Sequence, residues 1–214
     1  MEKTLSWITN LLAKYQPRPI DEKRVYAVLL PLIKVNGACH ILYQVRAQHI
    51  SQPGEVAFPG GRVETGETIK EAAIRETMEE LNLSAAQISI VGEIDYMVNG
   101  PRTIHCFVGQ LLVEDWTEIQ PNEEVERLFT LPLDLLLEIP PTYYDLTAVV
   151  EPSTDFPFDR IPNGANYNFK EHFRRVPFYN QDNENLWGMT ARFTHRFTEI
   201  VKDNHSAPLL EKGE

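Results

Sequence analysis

The chain is predicted to be an α+β protein, an α/β/α sandwich in which a mixed β-sheet packs between helices. Three observations predict this. Residues 25–34 and 38–46 are apolar, β-favouring runs on either side of Val35-Asn36-Gly37, and Asn-Gly between such runs marks a hairpin. Residues 68–81 contain no Gly or Pro and carry apolar side chains at helical spacing. Two more strand-like runs, 88–96 and 103–112, follow that helix, and a helical stretch at 187–201 comes last. At 214 residues the chain suits one domain, and 43% hydrophobic with 24% charged residues is enough to close a core.

Each element has a local reason. Leu5, Ile8, Leu11, Leu12 and Tyr15 recur at helical spacing, which predicts an amphipathic helix over about 4–15, ended by Pro17. After the hairpin, a polar loop leads through Val56-Ala57-Phe58 into Pro59-Gly60-Gly61. Four of the eleven glycines, Gly54, Gly60, Gly61 and Gly66, fall in this short region, so the backbone turns tightly there or closely approaches something. Thr68 is a good N-cap and Glu71 completes a capping box; Asn82 suits the left-handed position at the helix end. Val98-Asn99-Gly100-Pro101 turns between the next two strands. Residues 121–126 are an acidic loop, and 134–137 begin a short helix. Residues 140–183, rich in Pro, Asn, Tyr and Phe, read as an irregular insertion with room for a hairpin. Met189, Phe193, Phe197 and Ile200 form one stripe of the last helix, and the tail from Lys202 reads as polar and loose.

Composition narrows the function. A formal net charge of −11 argues against nucleic-acid binding through a broad basic surface. No apolar stretch is long enough to span a membrane and no apolar signal core opens the chain, so a cytoplasmic protein is expected. Cys39 and Cys106 lie in apolar runs and read as buried thiols.

The chemistry concentrates in the helix over 68–81. Residues three and four apart share a helix face, which predicts that Glu76, Glu79 and Glu80 project from one side. Like charges so close repel, and a hard divalent cation with oxygen ligands, shared with substrate phosphates, relieves the repulsion. An acidic protein that acts on phosphates needs such a metal to overcome its own charge.

Gly61, five residues, Glu67, seven residues and then Arg75-Glu76-x-x-Glu79-Glu80 resemble the Nudix box. Thr77 stands where that pattern has an aliphatic residue, and Asn82 where it has Gly. The motif-level resemblance covers about residues 25–137. It implies the Nudix fold, with the box as a loop–helix–loop element, and metal-dependent hydrolysis of a diphosphate linkage in a nucleoside diphosphate joined to another group. It implies Glu76 and Glu80 as ligands of Mg²⁺ or Mn²⁺, Glu79 as a further ligand or base, and the Gly60 carbonyl as completing the shell. It also implies that Arg75 pairs with Glu67 to fix the loop against the helix, and that Glu124 is the counterpart of an additional ligand or general base, with Glu123 and Glu126 as competitors.

A second resemblance is narrower. Gly54-x-x-x-Phe58-Pro59-Gly60-Gly61, preceded by Ile41-Leu42-Tyr43-Gln44-Val45-Arg46, is similar to the signature of coenzyme A pyrophosphatases within the Nudix superfamily, with Ile50 where that signature has Arg. Leu186-Trp187-Gly188-Met189-Thr190-Ala191-Arg192 is similar to a segment common in those enzymes. This implies coenzyme A (CoA) or acyl-CoA as substrate, with Gly54, Phe58, Gly61 and Arg46 at the substrate. A small-molecule nucleotide diphosphate is then the partner, and a homodimer stays open. The alternatives are an ADP-ribose or NADH pyrophosphatase, and a non-catalytic Nudix-fold binding module. Elsewhere, His105 reads as structural, Trp187 as core, and Tyr143, Tyr144 and Tyr167 as candidates for a pocket wall.

Overall fold

The computed structural model describes residues 4–17, 20, 24–167, 169, 172–181 and 184–206. A mixed seven-stranded sheet forms its centre. Strand β1 (Arg24–Val35) turns into β2 (Ala38–Arg46) through Asn36 and Gly37, whose φ angles of 49° and 88° are both positive, as a two-residue hairpin turn requires. Short strands β3 (Val56–Ala57) and β4 (Gly60–Arg62) pair antiparallel with β2 and β1. Helix α2 (Ile69–Leu81) follows, then β5 (Ile88–Asn99) and β6 (Arg102–Leu111). β6 runs parallel to β1, the one parallel pairing in this sheet among the described residues. β7 (Val125–Pro132) returns to pair with β2, and α3 (Leu133–Glu138) comes next.

The alternation of side chains on β1 explains why it reads as continuously apolar. Ala27 and Leu29 point into one core, against Ala72, Ala73 and Leu81 of α2. Val28 and Leu30 point into the other, with Ile41, Tyr43, Phe58 and Cys106. Both faces are covered from Ala27 to Ile33, so the polar residues Arg24 and Lys34 are left to the exposed ends of the strand. Each such Leu or Ile contributes about 1.5–3 kcal/mol by full burial.

The second core is closed by the C-terminal part of the chain. There the room left for a hairpin in the irregular stretch is filled: β8 (Thr142–Ala148) and β9 (His172–Gln181) form an antiparallel pair across a long connection, and β10 (Glu184–Trp187) joins them in a three-stranded sheet. Aromatic and β-branched residues in this stretch supply the strands despite its prolines. Helix α4 (Gly188–Ser206) then lays Ala191, Phe193 and Phe197 into the core. It runs past Lys202, so the loose tail expected from there is ordered as far as Ser206; 207–214 lie outside the described residues.

The first helix, α1 (Leu5–Leu12), is shorter than expected and buries none of its residues. Cys106 is buried as expected, whereas Cys39 is exposed, because it lies beside the hairpin turn at the end of β2. Trp187 is also not core: it is 37% exposed and stacks on Phe178.

Candidate active site

α2 begins and ends as its sequence dictates. The Thr68 side chain accepts from the Glu71 N–H, and the Glu71 carboxylate accepts from the Thr68 N–H. Asn82 takes the left-handed conformation at φ 50° and returns its N–H to the Met78 carbonyl. Thr77 is fully buried and donates its hydroxyl to the Ala73 carbonyl at 2.7 Å, so the departure from an aliphatic residue leaves no unmet polar group.

The carboxylates fall within an arc of about 100° on α2, but they are not equivalent in burial. Glu80 falls on the buried stripe with Ala73 and Thr77 and is only 4% exposed, while Glu79 turns outward with its side chain 56% exposed. The reason is angular: at 3.6 residues per turn, adjacent residues diverge by about 100°. Glu76 and Glu80 lie close in angle and Glu79 departs to the other side.

Arg75 organises the outer carboxylates. Its guanidinium donates to both Glu67 oxygens at 2.8 and 3.1 Å, to Glu76 at 2.9 Å, to Glu79 at 3.2 Å and to the Arg62 carbonyl at 3.1 Å. The pairing expected of Arg75 with Glu67 is therefore present, and it ties the glycine loop to the helix. The Arg75 hydrogen bond, joined by the Glu64 N–H, holds the Glu67 carboxyl below its usual range.

Among the described residues no cation lies at contact distance from Glu80, and Arg46 acts on it only at longer range. Its Oε2 accepts from Gln44 Nε2 at 2.8 Å and from the Gly60 N–H at 3.1 Å. Burial pushes its pKa up to about 7, against the lowering effect of those two bonds. Burial also raises Glu76, with Arg75 opposing and the charges of Glu79 and Glu124 adding. Gly60 and Gly61 make this packing feasible. A Cβ at Gly60 would lie 2.4 Å from the Ala27 carbonyl, and one at Gly61 would lie 2.3 Å from the Glu76 carboxylate.

Glu124 arrives from the acidic loop, pinned by backbone bonds. The Asn122 N–H donates to the Glu80 carbonyl at 2.8 Å, the Asn82 amide to the Gln120 carbonyl at 2.8 Å, and the Ala47 N–H to the Glu124 carbonyl at 2.9 Å. The Glu124 N–H donates to Asn122 Oδ1 at 2.9 Å.

These groups border one cavity of about 490 Å³. Glu76, Glu80, Glu124, Gly60, Gly61, Phe58 and Arg46 all line it, and so do Tyr26, Arg102, Trp187, Met189 and Thr190. Glu67, Arg75, Glu79 and Gly54 do not. Gly54 instead shapes the loop, donating its N–H to the Arg46 carbonyl at 2.9 Å. Ile50 is also off the wall; its neighbours Ser51 and Gln52 are on it, and the Arg46 guanidinium reaches the Ser51 carbonyl at 2.8 Å. Of the three tyrosines proposed as pocket walls, Tyr143 lines a different cavity beside His195, and Tyr144 and Tyr167 line neither. His105 is bonded to Glu93 at 2.6 Å, away from this cavity.

The donor set fits a hard cation. Glu76, Glu80 and Glu124 line a common cavity, Gln44 Oε1 is buried without a hydrogen-bond partner among the described residues, and Glu80 is a buried acid whose opposing charge, Arg46, lies beyond ion-pair contact. Among the described residues, no three His, Cys, Asp or Glu side chains form a finished cage.

Sequence reasoning missed Gln44, which is 2% exposed and holds Glu80. A glutamine inside the apolar run from Ile41 to Val45 was the available signal, since a polar side chain there needs a buried partner. Tyr26 and Arg102 carry no such mark.

The NUDIX domain family model matches residues 23–149. The chain is 29% identical to "Nudix hydrolase 3" of Caenorhabditis elegans, over 99% of this chain and 89% of that one. It is 34% identical to the mouse "Peroxisomal coenzyme A diphosphatase NUDT7", over 56% of this chain and 51% of that one. It is 29% identical to the "Uncharacterized Nudix hydrolase NudL" of Pectobacterium atrosepticum, over 92% and 94%. No helix among the described residues is long and apolar enough to cross a membrane. The chain belongs to the Nudix family, as a hydrolase of the pyrophosphatase kind.

Proposed function

We propose that this chain hydrolyses the diphosphate linkage of CoA or an acyl-CoA, releasing 3′,5′-ADP and a 4′-phosphopantetheine product. One observation carries the reading: the carboxylates Glu76 and Glu80 share a cavity with residues of both segments similar to the coenzyme A pyrophosphatases, Phe58, Gly60 and Gly61 from one and Trp187 to Thr190 from the other. The partial likeness to the mouse coenzyme A diphosphatase supports it.

Glu76 and Glu80 are the residues that would hold Mg²⁺ or Mn²⁺, which when bound supplies neutralisation of phosphate charge and a water of lowered pKa. Gln44 and the Gly60 N–H fix the Glu80 carboxylate so that Oε1 stays free for the cavity. Glu124 takes the proton of the attacking water as general base. Arg75 and Glu67 act on the reaction only by positioning, through the loop that carries Gly60 and Gly61. The exposed apolar faces of Trp187 and Met189 offer a surface for the pantetheine arm or the adenine.

The test is a substrate screen. CoA, acetyl-CoA, ADP-ribose, NADH and nucleoside triphosphates are assayed with Mg²⁺ or Mn²⁺. CoA or acetyl-CoA is expected to give the highest kcat/KM. A higher value for ADP-ribose or NADH would replace the substrate while keeping the chemistry, and no turnover of any of them would favour a binding module.

A further inference from the structure

Two arginines lie on the wall of the catalytic cavity, and they differ in what they are already doing. Arg46 is engaged: its Nε and Nη2 donate to the carbonyl and hydroxyl of Ser51 at 2.8 and 3.3 Å. Arg102 has no carboxylate or carbonyl partner among the described residues; its guanidinium lies 6.0 Å from the centre of the Tyr26 ring. A cation–π contact at that distance occupies none of the guanidinium N–H donors, which stay available in a fork that matches phosphate oxygens. The cavity is otherwise rich in carboxylates and the chain carries a net charge of −11, so carboxylates are at hand. An arginine left without one in that setting is available to an anionic ligand.

Its position shows which part of a ligand it meets. In the sheet register Arg102 is level with Arg24, whereas Gly60, which holds Glu80, is level with Val28. Four residues of strand separate the two levels, about 13 Å at roughly 3.3 Å per residue. A single phosphate does not bridge that interval, but a nucleotide with its diphosphate does. Positive charge also continues outward from this end. A neighbouring groove shares Ile104, Gly188 and Met189 with the cavity and is lined by Arg174, Arg175 and Arg192.

We propose that Arg102 is a specificity residue that reads a second, terminal phosphate on the nucleotide half of the substrate, remote from the diphosphate that is cleaved. This deepens the CoA reading and rests on it, because the 3′-phosphate of CoA is such a group. Arg102 binds that phosphate through its N–H donors, with the Tyr26 ring beside it. It takes no part in the bond-breaking step.

The experiment compares CoA with 3′-dephospho-CoA on the wild type, Arg102→Ala and Arg102→Lys. The ratio of kcat/KM for CoA to that for dephospho-CoA is expected to fall by about ten- to a hundred-fold in Arg102→Ala, the size of a lost charged hydrogen bond. The loss is expected in KM rather than kcat, and Arg102→Lys is expected to keep part of the ratio. An unchanged ratio, or equal losses on both substrates, overturns the proposal and leaves the CoA reading standing. Calorimetry with the products separates the two in the other direction. If the wild type does not hydrolyse CoA yet binds 3′,5′-ADP more tightly than 5′-AMP, and Arg102→Ala removes that difference, the phosphate subsite stands and only the substrate changes. Equal binding of the two nucleotides by the wild type overturns the subsite.

Discussion

Glu80 links the packing of the protein to its chemistry. It is an acid buried on the core side of α2, held at one oxygen by Gln44 and Gly60, and its pKa is pushed up to about 7 by burial. The sign of the consequence can be worked out. A carboxyl titrating near 4.5 when unfolded and near 7 when folded makes the folded state hold the extra proton, so its effect is to lower stability as pH rises through that window. Glu76, also raised by burial, acts in the same direction, while Glu67, lowered by Arg75, acts oppositely below its ordinary range. Cation binding needs the ionised carboxylate, so it reverses the loss only where Glu80 is charged. Mg²⁺ is therefore expected to raise the Tm more at pH 8 than at pH 6. Glu80→Gln is expected to fold, to lose most hydrolysis, and to flatten the pH dependence of the Mg²⁺ effect. Thermal melts with EDTA and with Mg²⁺ at the two pH values check it; equal shifts in wild type and variant would remove Glu80 from the metal site.

At the scale of the element, the box is a helix whose ends carry as much of the site as its middle. The N-terminal end is closed by the Thr68–Glu71 box and by Arg75 reaching back to Glu67; the C-terminal end, through Glu80 and Asn82, holds the loop that delivers Glu124. Glu123 and Glu126 do not border the cavity, and Glu126 is bonded to Gln48 at 2.8 Å. Glu124→Gln is accordingly expected to lower kcat by about 10²–10⁴-fold as loss of a general base, with far smaller effects from Glu123→Gln or Glu126→Gln. Steady-state kinetics at saturating Mg²⁺ separates the three, and equal effects would move the base to the helix. Much of this element could be read from letters: both caps and the spacing of the carboxylates follow from local rules, and the Arg75–Glu67 pair follows from the resemblance to the Nudix box. The division of labour among Glu76, Glu79 and Glu80 could not. It depends on which stripe of α2 meets β1 and β4, and Glu80 interrupts the apolar pattern that would have marked that stripe.

At the scale of the molecule, the cavity is assembled from regions far apart in sequence, and here legibility was lowest. The hairpin, the acidic helix and α4 were readable because turn chemistry and helical period are local. β8 to β10 were not, because strands that pair across a long connection announce themselves only through their partners. Yet Trp187 of that small sheet and Gly188 to Thr190 at the start of α4 line the same cavity as the carboxylates. Two contacts anchor this wall. Arg127 of β7 makes a bidentate pair with Glu184 of β10 at 2.6 and 2.7 Å, and Thr190 donates its hydroxyl to the Val56 carbonyl at 2.9 Å. The ion pair joins the two sheets, but the Arg127 side chain is 47% exposed, so its coupling energy is expected to be no more than about 1 kcal/mol. Its larger effect should be positional, because Trp187 to Thr190 follow Glu184 directly along the chain. Glu184→Gln and Arg127→Gln are each expected to raise KM for CoA several-fold while leaving the Mg²⁺ requirement and most of the stability intact. The double variant should be no worse than either single one. Denaturation and kinetics on the three variants decide it: a stability loss without a change in KM would make the pair a brace of the fold alone, and a changed Mg²⁺ requirement would mean that the wall and the carboxylates are not independent.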